Sequence, residues 1–169
     1  MIPKYIELID RETNGQRYDV TPLFADYESF SALVGDIASA FETIEFDYVA
    51  GIDALGFILG AAIAIELKRG FIPLRKGGKL PVEKNSVSFV DYSGTQKALE
   101  LRVDAFPAGA KILLVDEWIE TGTQVHAAIA LIEAQQGEVG GVATIRVDDN
   151  ESTRRLKERY KCYQAWGEE

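Results

Sequence analysis

The chain has 169 residues, a formal charge of −9, 47% hydrophobic residues and a single cysteine. Length and apolar content predict one domain over residues 1–169 with its own core, and exclude a disordered chain. The acidic balance excludes a nucleic-acid surface, no apolar run is long enough to span a membrane, and the lone Cys162 with an N-terminus lacking an apolar signal core points to the cytoplasm.

Residues 1–24 read as irregular, with short extended pieces. Apolar residues at helical spacing (Phe30, Leu33, Val34, Ile37, Ala38, Phe41) predict an amphipathic helix over 27–43. A short apolar strand over 46–52 ends at Asp53-Ala54-Leu55-Gly56, and a helix over 57–68 is closed by Gly70. A strand over 71–74 is followed by a basic, glycine-rich turn carrying Arg75, Lys76 and Lys79. Alternating residues over 87–92 and 98–103 predict a hairpin with a polar tip around Asp91, Tyr92 and Ser93. A buried strand over 112–115, a helix over 125–136, a strand over 139–147 and a charged helix over 151–160, capped by Asp148-Asp149-Asn150, complete the pattern. Strands and helices alternating in this way give an α/β fold: a mainly parallel, twisted sheet flanked by helices on both faces, with an inserted hairpin.

Residues 112–124 carry the most chemistry. Four apolar residues put Asp116 and Glu117 at the carboxyl end of a strand, where open α/β sheets bind ligands. Thr121-Gly122-Thr123-Gln124 then opens a helix, a place where main-chain N–H groups hold phosphates. Acids after a buried strand also serve as solvated ends or caps, so the segment alone leaves both readings open. The Gly-Lys-Ser/Thr ending of a Walker loop and the glycine spacing of a dinucleotide fingerprint are both absent. A tight basic spot in an acidic chain, at Arg75, Lys76 and Lys79, suits a polyanionic small molecule, or is simply a solvated loop. Cys162 reads as passive and His126 as a polar surface or cap residue; one of each builds neither a zinc site nor a hydrolase triad.

The 112–124 segment resembles the signature of type I phosphoribosyltransferases, which bind 5-phosphoribosyl-1-pyrophosphate (PRPP). Three further blocks, 17–23, 51–57 and 73–81, resemble successive blocks of adenine phosphoribosyltransferases in order and spacing. The resemblance implies transfer of phosphoribose from PRPP to a purine or purine-like base, adenine first, with pyrophosphate released. It assigns Asp116 and Glu117 to the ribose hydroxyls, directly or through Mg²⁺, and 121–124 to the 5′-phosphate. Asp53, Ala54, Leu55, Arg75, Lys76 and Lys79 fall to the pyrophosphate, Tyr92 to a mobile flap, and Arg17 and Tyr18 to the base. A cap over the base site at 1–24 and a homodimer are implied as well.

The departures are specific. Leu55 stands where adenine enzymes usually carry arginine, Thr123-Gln124 replaces Gly-Thr, and Arg17-Tyr18 replaces Phe-Arg. Glu120 replaces alanine; it either repels the phosphate or turns to the base, where 6-oxopurine enzymes often place an acid that shares a proton. Trp118 reads either as core packing or as a stacking surface for the base. Leu55 and Glu120 together leave open a catalytically weak, PRPP- or nucleotide-binding regulator of the same fold.

Overall fold

The structure is a computed structural model that describes residues 2–15 and 17–167. Its centre is β5 (Lys111–Val115), whose residues alternate between two buried faces. Ile112 and Leu114 point to one core with Ala50, Ile52, Leu74 and Val142; Leu113 and Val115 point to the other with Val49 and Ala143. A strand covered on both sides loses its polar positions, which is why this stretch reads as continuously apolar.

Parallel partners flank β5: β1 (Tyr48–Ile52) on one side and β7 (Glu138–Thr144) on the other. Beyond β1 lie β2 (Gly70–Lys76), β4 (Gln96–Arg102) and β3 (Lys84–Val90); beyond β7 lies β9 (Cys162–Gln164). The seven-stranded order is β3-β4-β2-β1-β5-β7-β9, antiparallel only where the hairpin β3–β4 joins β2. The hairpin is thus an extension of the sheet. On one face pack α4 (Thr123–Ala134) and α5 (Glu151–Arg159). On the other pack α2 (Tyr27–Ala40) and α3 (Leu55–Glu66), with the N-terminal segment above α2.

Four expectations change. The described part of residues 1–24 is more ordered than irregular: it holds a 3₁₀ turn (Lys4–Leu8), a bridge between Asp10 and Asp19, and the start of the short helix α1 (Thr21–Ala25). Tyr5 Oη donates to Asp36 of α2 at 2.7 Å, and Tyr5, Ile6 and Ile9 are buried. The strand at 139–147 is broken: after β7 the chain leaves the sheet, and β8 (Arg146–Val147) pairs with β6 (Trp118–Ile119) in a separate two-stranded ribbon. Strand β2 runs on through Arg75 and Lys76, which pair with Glu100 and Leu99, so these cations lie on the strand and not on the turn. Finally, β9 follows the last helix. Three half-buried residues beside a charged helix offer no periodicity long enough to reveal a strand.

Helix α3 sits unusually close to the sheet. A Cβ on Gly51 would lie 2.4 Å from the carbonyl oxygen of Gly56, and one on Gly56 would lie 2.9 Å from that of Val115. This approach brings the loop at Asp53 against the end of β5. Gly51→Ala must displace backbone, and we expect it to cost about 1–3 kcal/mol, seen as a lower melting temperature. Gly35→Ala, in α2 with nothing within 4 Å, should instead gain about 0.5–1 kcal/mol. Equal effects from the two substitutions would contradict the close contact.

Candidate functional site

At the carboxyl end of β5 the chain turns through Asp116 and Glu117 into β6. Asp116 is buried: its Oδ1 accepts from the Glu117 amide at 2.9 Å and its Oδ2 from Gln124 Nε2 at 3.1 Å. Loss of solvent, and then the neighbouring Glu117 charge, push the Asp116 carboxyl well above the usual carboxylate range. Burial also raises Glu117, against a pull from Arg17.

Helix α4 begins at Gly122, whose φ of +79° is left-handed and whose missing Cβ leaves room for Ser152 Oγ at 3.0 Å. The N-cap glycine has no side chain to cap the helix, the Thr123 amide donates to Thr121 Oγ1 at 3.4 Å, and residues 121–124 line a cavity. Thr121 and Thr123 hydroxyls lie 2.9 Å apart, and Thr123 Oγ1 donates to the Val90 carbonyl of the hairpin at 2.7 Å. The tip of that hairpin is ordered by Asp91, which accepts from the Ser93 and Thr95 amides and pairs with Lys97. The hairpin therefore lies closed on the loop.

Two small adjoining chambers result, of about 80 and about 120 Å³. The first is lined by the 120–124 loop, Lys97 and the hairpin residues Phe89, Asp91 and Tyr92. The second is lined by Asp53, Ala54, Leu55 and Glu117; Arg17, Lys76, Asp116, Trp118 and Gln124 border both. The Lys76 amide donates to Asp53 Oδ2 at 3.2 Å, which ties the loop after β1 to β2. Lys76 has no ion-pair partner among the described residues, unlike Arg17 and Lys97. It is the uncommitted positive charge of the cavity.

The other candidates divide. Arg75 and Lys79 do not line either chamber; Arg75 Nε is buried without a hydrogen-bond partner among the described residues, and Lys79 is exposed. Tyr18 also lies outside the lining, where its ring meets Trp118 edge-on at 5.5 Å and stacks near Trp166 at 5.8 Å. Trp118 does both things the sequence allowed. It packs in this aromatic group, donates from Nε1 to Asp148 Oδ1 at 3.0 Å, and still borders the cavity. Arg17, which the resemblance assigns to the base, holds Glu120 through Nε to Oε1 at 2.6 Å and Nη2 to Oε2 at 2.9 Å. His126 is exposed, and burial pushes the Cys162 thiol up to about 11, the state of an unreactive cysteine.

Two residues that sequence reasoning misses complete the support. Glu100 accepts from the Gly78 amide at 2.8 Å and the Leu80 amide at 3.3 Å, and so shapes the turn after β2. An acid between Leu99 and Leu101 on a buried strand was a signal that could have found it. Asn150 Nδ2 donates to the Glu120 carbonyl at 2.7 Å, a contact between distant segments with no local signature.

Burial of Asp116 carries a cost with a definite pH dependence. Above pH about 4 the unfolded chain releases this proton while the folded protein retains it, so stability falls with rising pH up to the raised folded value. Asp116→Asn removes that penalty, with Gln124 free to present its oxygen. We expect the variant to be the more stable protein at pH 7 by urea denaturation, about 2–4 °C in melting temperature for each kcal/mol recovered. The advantage should close toward pH 3.5; a gain independent of pH would rule out desolvation as its source.

With this geometry established, the relatives can be compared. A family model described as phosphoribosyl transferase domain matches residues 27–166. An adenine phosphoribosyltransferase from Halothermothrix orenii is 45% identical over 121 residues, 72% of this chain and 71% of that protein. One from Cereibacter sphaeroides is 44% identical over 128 residues, 75% of this chain and 71% of that protein. Among solved structures, the adenine phosphoribosyltransferase of Rhodothermus marinus superposes with a TM-score of 0.86 at 30% identity, covering 95% of this chain and 94% of its own. That of Saccharomyces cerevisiae, complexed with an imino-altritol bisphosphate and adenine, superposes with a TM-score of 0.81 at 26% identity, covering 95% and 97%.

Proposed function

The chain belongs to the phosphoribosyl transferase domain family, and from that premise we propose that it transfers the 5-phosphoribosyl group of PRPP to adenine, with release of pyrophosphate. The observation that carries this reading is the head of α4 lining adjoining chambers with the buried Asp116, the half-buried Glu117 and Lys76, which has no ion-pair partner among the described residues. Main-chain N–H groups of the 121–124 loop are set to bind the 5′-phosphate. Asp116 and Glu117 face the sugar. Even when protonated they accept from ribose hydroxyls, and when ionised they offset positive charge developing at carbon 1. Lys76, with the Asp53–Leu55 loop, meets the pyrophosphate; Arg75 and Lys79 are assigned there only as outer charges.

In the transfer, the bond from carbon 1 to the pyrophosphate oxygen breaks and the bond from a ring nitrogen of the base forms, while the proton on that nitrogen passes to the departing pyrophosphate. The closed hairpin excludes water from that exchange, which would otherwise hydrolyse the sugar. Both oxygens of Glu120 are occupied by Arg17, so we assign Glu120 to its pair with Arg17 and not to proton transfer. The Trp118 ring, which borders both chambers, is the aromatic surface offered to the base.

Mg²⁺ fits as a cation shared with substrate. No group of three or more metal-binding side chains occurs among the described residues, and Mg²⁺ commonly rests on one or two carboxylates plus substrate phosphates. Asp116 and Glu117, among the carboxylates that line the two chambers, would hold it, and it would neutralise charge on the departing pyrophosphate. We place the protein in the cytoplasm, in keeping with its single buried thiol, and treat residues 1–169 as one catalytic unit. No helix among the described residues is long and apolar enough to cross a membrane.

Purified protein given PRPP, Mg²⁺ and a panel of bases should form nucleotide and pyrophosphate with adenine above the others. Asp116→Asn should lower turnover at least about tenfold, 1.4 kcal/mol of barrier. PRPP binding without pyrophosphate release with any base would instead favour the regulatory reading. The exposed Ile58 and Ile65 on α3 are assigned to a homodimer contact. Light scattering should give twice the monomer mass, and a monomer at micromolar concentration would remove that assignment.

A further inference from the structure

A carboxylate placed one residue before an anion cradle ought to oppose anion binding. Like charges a few ångströms apart repel, and a partly closed cavity screens them less than water does. Glu120 occupies that place, with its side chain only 18% exposed, and borders the same chamber as Thr121 and Thr123. Its main chain is pinned, because Asn150 Nδ2 holds its carbonyl and Asn150 is itself fixed in a capping box with Thr153. Only the side chain remains adjustable, and Arg17 sets it. The planar guanidinium meets both carboxylate oxygens, a fork that lysine cannot reproduce. Its other contact is with the hairpin, where it lies 4.4 Å over the Tyr92 ring.

We propose that Arg17 is a positioning residue that neutralises Glu120 and holds its carboxylate against the N-terminal segment, making the 121–124 loop competent for a phosphate monoester dianion. The proposal rests on the phosphate-binding reading of that loop, and it assigns to Arg17 a task separate from contact with the base. Its consequence is asymmetric. Removing Arg17 leaves an uncompensated negative charge beside the ligand, whereas removing Glu120 relieves the loop of one. The damage caused by the first substitution should therefore disappear when the second is added.

Calorimetric titration with ribose 5-phosphate tests this without requiring turnover. Arg17→Ala should weaken binding at least about tenfold, 1.4 kcal/mol, while Glu120→Ala binds at least as tightly as the wild type. The double variant should return to within about threefold of Glu120→Ala, a non-additivity that a merely structural role for Arg17 would not produce. Should Arg17→Ala fail to fold by circular dichroism, Arg17→Gln takes its place in the same cycle. A double variant as weak as Arg17→Ala, or an Arg17→Ala protein that binds like the wild type, overturns the proposal. A wild type that binds ribose 5-phosphate and obeys the cycle, yet makes no nucleotide, contradicts the transfer reading alone; one that binds no phosphate ester overturns both.

Discussion

Asp116 carries a carboxyl group out of water at the end of β5, and its neighbours are arranged around that desolvation. Each of its oxygens has a neutral donor, the Glu117 amide and the Gln124 side chain. Arg17 acts on it only through space. Glycine at 56 keeps α3 close enough to enclose the group, since a Cβ there would sit 3.4 Å from Asp116 Oδ1. Such a site disfavours a bare negative charge until a hydroxyl or a cation arrives to share it. The folded protein therefore keeps this proton where the unfolded chain releases it, and stability is given up to hold the group in place.

The positive charges of the cavity follow the same economy. The chain is strongly acidic, yet Arg17, Lys76 and Lys97 all border one small space. Two of them are committed, Arg17 to Glu120 and Lys97 to Asp91 of the hairpin. Both pairs tie mobile-looking segments to the frame: the N-terminal segment to the phosphate loop, and the hairpin tip to its own stem. Lys76 alone is left to meet an incoming anion, on a strand whose following turn Glu100 shapes.

The parts of this arrangement that could be read in the sequence are those determined by near neighbours along the chain. The alternation through 112–115 and the turn at 121–124 depend on local geometry, and they place the acid pair and the helix head where they were expected. Long-range pairing is different. Arg17 and Glu120 are separated by 103 positions, and nothing in either segment announces the other. The ribbon of β6 with β8 and the edge strand β9 are two or three residues long, shorter than any period that could betray them. Arg75 and Lys79 looked like ligand contacts because they cluster in sequence. Strand alternation gives neighbours opposite directions, and only Lys76 borders the cavity.

The C-terminal contacts also bear on how the molecule comes into being. Trp166 stacks with Tyr18, its amide donates to the Ile145 carbonyl, and β9 covers the flank of β7. On a ribosome, β1 through β7 emerge first, so the nascent chain exposes an unpaired strand edge until residue 164 has cleared the exit tunnel. The aromatic wall against which the N-terminal segment rests is assembled later still. Vectorial synthesis therefore leaves the scaffold nearly complete while its ligand end is unfinished, and the growing polypeptide is most prone to self-association in that interval.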